Sequence, residues 1–333
     1  MYATYHNVAI RSIAAAAPSY ILSNVEYAAT VDDKKYKRRI LYTGIKERRH
    51  VVDGQKSSDL ACIAAEKAME KLGWSKDSIR VLIYVTETPD IRAPSTAMLL
   101  QARMGLSQDL LSYDINLGCT GFTSGVQTLA AILSQTKGRG LLLMGDYHPY
   151  PPGTEYYENN ILFGDGSAAV AMEYDEKADP MLSSQMTDGT RFNTLYDSYE
   201  KGVSMDGNAI VLFSLNEVVD SINEFHTHYG ITREQIDFYA LHQAQKIIVE
   251  GIAQNCILPD NKVLRAYPNY GNTSSASIPF ALCANTDKLQ GKNLKIFTCG
   301  YGIGLAWSSV LITVDSEAVL PLIENDYVYP ILF

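Results

Sequence analysis

The chain has 333 residues, of which 47% are hydrophobic and 20% charged, with a formal net charge of −9. That length allows one large core or two medium ones, and the composition is that of a soluble globular protein. The acidic balance argues against general nucleic-acid binding, and no apolar run approaches the roughly 20 residues that span a membrane.

At the N-terminus, residues 1–20 carry no basic leader, and Arg11 interrupts their apolar stretch, which argues against a signal peptide. The segment KKYKRRILYTGIKERRH follows, with eight basic residues between Lys34 and Arg49. It is either a solvated basic face or a landing site for an anionic partner, such as a phosphorylated cofactor arm or an acidic carrier protein. The five cysteines (62, 119, 256, 283 and 299) are odd in number and include no C-x-x-C pair. They argue against a disulfide framework or a metal site and fit a reducing cytoplasm.

Periodicity then predicts alternating strands and helices. VLIYVTET (81–88) reads as a buried strand. Residues 111–117 read as another, ending at Gly118, and an apolar helix runs through Leu133. RGLLLMGD (139–146) and GSAAVAMEY (166–174) read as two further strands. Between them, DYHPYPPGTEYYENN (146–160) has the composition of a lid or interface loop. Residues 175–207 are rich in Asp, Ser, Thr and Gly and read as loops. The order then recurs. IDFYALHQAQ (236–245) resembles the first strand, NYGNTSSASIPFALCAN (269–285) matches the nucleophile turn and helix, and NLKIFTCG with GLAWSSVLITV closes the unit. The separation from Tyr84 to Cys119 and that from Tyr239 to Asn272 differ by two residues. Two similar α/β halves are expected, 1–174 and 175–333. The tail after Thr313 is apolar enough to dock on a surface.

Cys119 is the candidate nucleophile. A thiol at the start of a helix meets unpaired backbone N–H groups and the positive end of the helix dipole, which predicts a depressed pKa. Small neighbours (Thr120, Gly121, Thr123, Ser124, Gly125) leave room for a substrate. His242, where a strand pattern gives way to a helix pattern, and Asn272, between Gly271 and Thr273, are neutral donors suited to an enolate or oxyanion. Taken singly, each residue type is more often structural, and that reading is kept for Cys62, Cys256, Cys283, His6, His50, His226 and His228. Matching positions in both halves favour chemistry for these three.

The segments TGIKERR (43–49), APST (93–96), GCTGFTSG (118–125), LFGDGSAAV (162–170), MDGN (205–208), LHQAQ (241–245), NYGNTSSASIP (269–279) and GYGIGLAWSS (300–309) together resemble the ketoacyl-acyl-carrier-protein synthase III family of the thiolase superfamily. The resemblance implies a five-layered α-β-α-β-α fold, a homodimer, and Cys119, His242 and Asn272 as the catalytic set. It also implies an oxyanion hole from the backbone of Cys119 and Gly302. No permanently bound cofactor is implied, only acyl thioesters on acyl carrier protein or coenzyme A. The expected reaction is decarboxylative condensation of an acyl-cysteine with a malonyl-type extender, in a specialised fatty-acid or polyketide-like pathway. Acyl transfer to an alcohol or amine, or a non-catalytic scaffold, are the alternatives. Thr43, Ala93, Phe163, Asn208 and Lys246 are the implied substrate-binding positions. Thiolases of the superfamily have a second cysteine where Gly300 stands, and Cys299 is one position earlier, on the other face of a strand. Chain-length factors lack the nucleophile that Cys119 supplies here.

The chain also departs from the family pattern. Housekeeping members place a tryptophan before TGI, against the adenine of coenzyme A, and an arginine immediately before it. Here that stretch is KRRILY, with Arg38 near the tryptophan position and Tyr42 at the arginine. Another family arginine, shortly before FGDG, gives way near Tyr157. These changes favour a carrier-bound donor. Docking is expected at Lys246 and part of the basic run (Lys37, Arg38, Arg39, Lys46, Arg48, Arg49). Ala93 replaces a bulkier residue that a partner subunit contributes to the acyl pocket, which predicts room for a larger acyl group.

Overall fold

The computed structural model describes residues 1–148, 161–198 and 202–330. Its strands, in chain order, are β1 (Tyr2–Tyr5), β2 (Val8–Ala17), β3 (Ile21–Ser23), β4 (Glu47–Arg49), β5 (Ile79–Val85), β6 (Leu111–Ile115), β7 (Arg139–Asp146), β8 (Gly166–Tyr174), β9 (Met181–Thr187), β10 (Leu195–Ser198), β11 (Gly202–Met205), β12 (Phe238–Leu241), β13 (Leu294–Gly302), β14 (Ala306–Val314) and β15 (Ile323–Glu324). The helices that matter below are α1 (Asn24–Thr30), α2 (Lys34–Tyr42), α3 (Ser57–Leu72), α4 (Thr96–Met104), α5 (Gly121–Thr136), α6 (Gly207–Phe213), α7 (Val219–Tyr229), α8 (Lys246–Asn255), α9 (Tyr267–Tyr270) and α10 (Ser277–Cys283).

Two mixed sheets carry the fold. One has the order β15-β2-β8-β7-β5-β6 and the other β1-β9-β14-β13-β12. In the first, β5 runs parallel to β7, and β7 antiparallel to β8. In the second, β12 runs parallel to β13, and β13 antiparallel to β14. The same local order is thus built twice, and the chain ends cross over. β1 pairs with β9 in the second sheet, while β15 pairs with β2 in the first.

Helices α5 and α10 lie between the sheets, α3 and α4 cover the outer face of the first, and α7 and α8 lie outside the second. This is a five-layered α-β-α-β-α arrangement of the thiolase type. Phe122, Val126, Leu129 and Leu133 on α5 have no solvent exposure. Each buried side chain of this size contributes about 1.5–3 kcal/mol, so the helix that starts behind Cys119 is held as firmly as the core.

The polar stretch 175–207 is not loop throughout, because it contains β9, β10 and β11. Strand β9 reads MLSSQMT, and its Ser183 and Ser184 are buried between β1 and β14. Hydroxyls in a central strand of a two-sided core erase the apolar pattern from which a strand is read. Arg11 sits at an irregularity in β2, between Ile10 and Ser12, and reaches out to Glu173 and Asp175. The expected loop at 146–160 lies largely outside the described residues, as does Tyr157. Among the described residues, no helix is long and apolar enough to cross a membrane.

Candidate active site

Three turns, two at the ends of strands and one at the end of a helix, meet in one place. Cys119 follows β6 and immediately precedes α5, with Thr120 as the residue before the first helical turn. His242 follows β12, and its backbone N–H donates to the Cys299 carbonyl at 2.8 Å. Asn272 follows α9, and its backbone is clamped to the neighbouring 162–164 segment by an isolated bridge to Phe163. Asn272 N donates to Leu162 O at 2.8 Å, and Gly164 N donates to Asn272 O at 3.0 Å. All three side chains line a single cavity with Phe163, Ala244, Ile248 and Gly302. Cys119 and Phe163 also line a second chamber, bounded by Glu87, His148 and Asp197.

Each donor is fixed by a buried partner. His242 Nδ1 lies 2.6 Å from Ser277 Oγ, and the imidazole meets the Tyr301 ring edge-on at 5.4 Å. Burial pushes its pKa down to about 3, so the ring is neutral. The Asn272 amide is oriented by Ser274, whose backbone N–H donates to Oδ1 at 2.9 Å. That bond leaves the amide NH2 as the free end. Asp146 ties the two sides together, accepting from Thr86 Oγ1 at 3.0 Å, Glu87 N at 2.7 Å and Ser275 Oγ at 3.1 Å.

The thiol departs from the expectation of a depressed pKa. Burial pushes Cys119 up to about 12, and the negative charges of Glu87 and Asp146 add to the shift. Hydrogen bonds from the backbone of Ile303 and of Cys119 itself act in the opposite direction and are outweighed. At the end of a helix packed between two sheets, desolvation exceeds the pull of the dipole, so the resting group is a thiol.

The same hydrogen bonds identify which backbone of the 300–304 loop meets the thiol. The loop N–H that reaches the sulfur belongs to Ile303, one residue after Gly302. Gly302 has a different task. Its φ is +152°, and a Cβ there would lie 2.7 Å from Cys119 Sγ, so only glycine lets β13 end against Cys119.

The remaining sequence candidates divide. Phe163 lines both cavities and stacks on His148 at 4.7 Å. Thr43 lines neither. It is buried, donates to Ile40 O at 2.6 Å and accepts from Ile45 N at 3.1 Å, closing the end of α2. Asn208 is exposed at the start of α6, where Asp206 caps its backbone N–H, and Ala93 is exposed beside Pro94. Neither borders the cavities through described residues. Lys246 is exposed at the start of α8 with its backbone N–H on Thr43 O at 2.8 Å, so it adjoins the end of α2.

Two arginines leave the expected docking surface. Arg48 is buried, donating to Asn24 Oδ1 at 3.0 Å and Phe163 O at 3.2 Å. Arg49 is buried too, paired with Glu47 and Glu324 and stacked over Tyr270. Cys299 is buried in the core cluster that holds Leu241 and Phe297, and it lines neither cavity. All five cysteines are unpaired.

Comparison with known proteins agrees with this geometry. Residues 113–189 match the family model described as 3-oxoacyl-[acyl-carrier-protein] synthase III, and residues 227–314 match the model of its C-terminal part. The chain is 31% identical over 329 residues to beta-ketoacyl-[acyl-carrier-protein] synthase III of Prochlorococcus marinus, covering 92% of this chain and 96% of that protein. It is 32% identical over 324 residues to the enzyme of the same name from Streptococcus agalactiae, covering 92% and 98%. The crystal structure of a 3-oxoacyl-(acyl-carrier protein) synthase from Burkholderia xenovorans superposes with a TM-score of 0.91 at 27% identity, over 98% of this chain and 99% of that one. By these matches and its two-sheet core, the chain belongs to the 3-oxoacyl-acyl-carrier-protein synthase III family of acyltransferases.

Proposed function

We propose that the protein condenses an acyl group held on Cys119 with a malonyl-type extender borne on a carrier protein, releasing carbon dioxide. The observation that carries this reading is the shared cavity in which Cys119 faces a neutral imidazole and a free amide NH2.

In the first half-reaction, Cys119 Sγ attacks the thioester carbonyl. The negative charge that grows on its oxygen is met by the N–H groups of Cys119 and Ile303, the departing thiolate takes up a proton, and an acyl-cysteine remains. In the second, the extender's carboxylate leaves as carbon dioxide and its bonding electrons form an enolate. With Ser277 donating to Nδ1, His242 keeps its proton on Nε2. That N–H and the Asn272 amide are the two donors for the enolate oxygen. The carbanion attacks the acyl carbon, the sulfur–carbon bond breaks, and Cys119 is regenerated. A histidine with a pKa near 3 is a poor general base, which disfavours transfer to an alcohol or amine. The intact trio disfavours a scaffold role.

For the donor, the exposed side chains Arg38, Leu41, Tyr42, Lys46, Lys246 and Ile247 lie about the end of α2 and the start of α8. This mixed basic and apolar surface suits an acidic carrier protein, with each exposed charge contact worth at most about 1 kcal/mol. The open edge of β6, where Leu111 is half exposed, supports pairing with a second copy, and Ala93 then belongs to the neighbour's site. The test is incubation with an acyl thioester and a malonyl-carrier substrate. Carbon dioxide release matched to β-ketoacyl product is expected, whereas acyl transfer without it would overturn condensation.

A further inference from the structure

The second chamber at Cys119, which neither His242 nor Asn272 lines, has a wall that a plain hydrocarbon does not need. Phe163, Leu195, Val203 and Ile303 form an apolar part, but Glu87, Thr88, His148 and Asp197 face the same space. Its volume is about 110 Å³, enough for a short group at the ~10–15 Å³ of such volume that one water requires.

Glu87 is the residue that stands out. Its carboxyl packs flat against the Cα of Gly118, occupying the space a side chain there would fill, next to the nucleophile in sequence and in space. Among the described residues, none donates a hydrogen bond to that carboxyl. Glu87 is half-buried, and a carboxyl that lines the chamber without a protein donor is left for a ligand or water to complete. Burial, with Asp146 and Asp197 nearby, lifts its pKa to about 8, so near neutral pH it is mostly a carboxylic acid, able to donate and to accept. His148 is oriented from behind. Its Nδ1 lies 3.0 Å from the buried Asp165 carboxylate, its backbone N–H donates to the same carboxylate at 2.8 Å, and Phe163 stacks on the ring. Nδ1 is thereby committed, and Nε2 is the atom left for a ligand.

We propose that this chamber selects an acyl group bearing a hydroxyl close to the thioester, a 3-hydroxyacyl chain, with Glu87 as the specificity-determining hydrogen-bond partner. The inference rests on the acyl-Cys119 reading above. The carboxyl is beside residue 118, and the acyl carbon is bonded to the sulfur of residue 119. Only the first few carbons of the chain therefore come within its reach. Asp146 cannot serve instead, because Thr86, Ser275 and the Glu87 backbone already occupy it.

The experiment uses the full chain with butanoyl-pantetheine and 3-hydroxybutanoyl-pantetheine, following acyl-Cys119 formation by intact mass. The wild type is expected to favour the hydroxylated donor about ten- to hundredfold in rate at limiting concentration. Glu87→Leu should bring that ratio close to one. Glu87→Gln keeps hydrogen bonding without an ionisable proton and should retain the preference to within about threefold. A wild-type ratio near or below one overturns the inference even if both variants fail to fold. So does a preference that survives in Glu87→Leu or disappears in Glu87→Gln. If neither donor labels Cys119, the acyl-enzyme reading itself fails, an outcome distinct from equal labelling by both.

Discussion

Gly302 ends β13 directly against the sulfur of Cys119, so close that a methyl group at position 302 would lie 2.7 Å from Sγ and 2.8 Å from Cβ. The second sheet thus delivers its glycine loop to the cysteine carried by the turn after β6 of the first. Gly302→Ala meets two obstacles, a φ of +152° and a Cβ that would crowd both Sγ and Cβ of Cys119. We predict a loss of about 2–3 kcal/mol in unfolding free energy and a fall of at least about tenfold in the rate of acyl-Cys119 formation. Denaturant unfolding and quenched-flow mass analysis measure the two effects separately.

Ser277 and Asn272 act after acylation in this account. Ser277→Ala removes the hydroxyl 2.6 Å from His242 Nδ1, and Asn272→Ala removes one of the two enolate donors. Both should slow product-linked carbon dioxide release by about 10²–10³-fold, the range for one oxyanion donor, with acyl-Cys119 formation altered much less. Equal losses in both half-reactions would contradict the division of labour.

The thiol's response to pH follows from its surroundings. With Cys119 pushed up to about 12, its thiolate fraction in the free protein grows about tenfold per pH unit from pH 7 to 10. Carbamidomethylation of Cys119 by iodoacetamide should therefore climb through that range with no plateau near neutrality. A plateau below pH 8 would restore the depressed thiol expected from the helix start alone.

Glu87 contributes in the opposite sense to an ordinary surface acid. Its folded-state pKa of about 8 lies above the unfolded value near 4.5. The folded protein therefore binds the extra proton, and stability falls as pH rises from about 4.5 towards 8. Glu87→Gln removes that titration. The variant should gain stability relative to wild type as pH rises, by up to about 4 kcal/mol between pH 5 and pH 8.5. Parallel thermal melts at the two pH values read this difference.

Arg48 and Arg49 behave unlike the lysines around them. Arg48→Ala leaves Asn24 and the Phe163 carbonyl without their buried donor and should destabilise the fold by about 3 kcal/mol. Lys46→Glu or Arg38→Glu should leave the melting temperature nearly unchanged. Each should weaken turnover with carrier-bound donors, an effect that added salt diminishes, while turnover with pantetheine thioesters stays the same.

The parts of this site that were legible in the sequence are those whose chemistry needs a particular side chain. Cys119 amid small residues, His242 at a strand end and Asn272 beside a glycine each stand out locally. Their repetition at similar spacing foretold a fold built twice. Ile303 was hidden because any residue but proline can supply a backbone N–H, so its side chain carries no signal. Glu87 was hidden for another reason. At the end of VLIYVTET it reads as a polar residue leaving a strand, and only the approach of Gly118, Asp146 and Asp197 from distant segments gives it an unusual environment. The burial of Arg48 and Arg49 is likewise a tertiary fact, set by Asn24, Glu324 and Tyr270. In β9, buried serines mask a strand that backbone pairing on both sides makes secure.

The central claim is that the acyl group passes through Cys119. Incubating the protein with an acyl thioester, followed by intact-mass measurement and peptide mapping, tests it most directly. The account predicts one acyl adduct on the peptide containing Cys119, absent from Cys119→Ala and discharged from the wild type when a malonyl-carrier substrate is added. An adduct of the same extent in Cys119→Ala, or a wild-type protein that acyl thioesters never label, would contradict it.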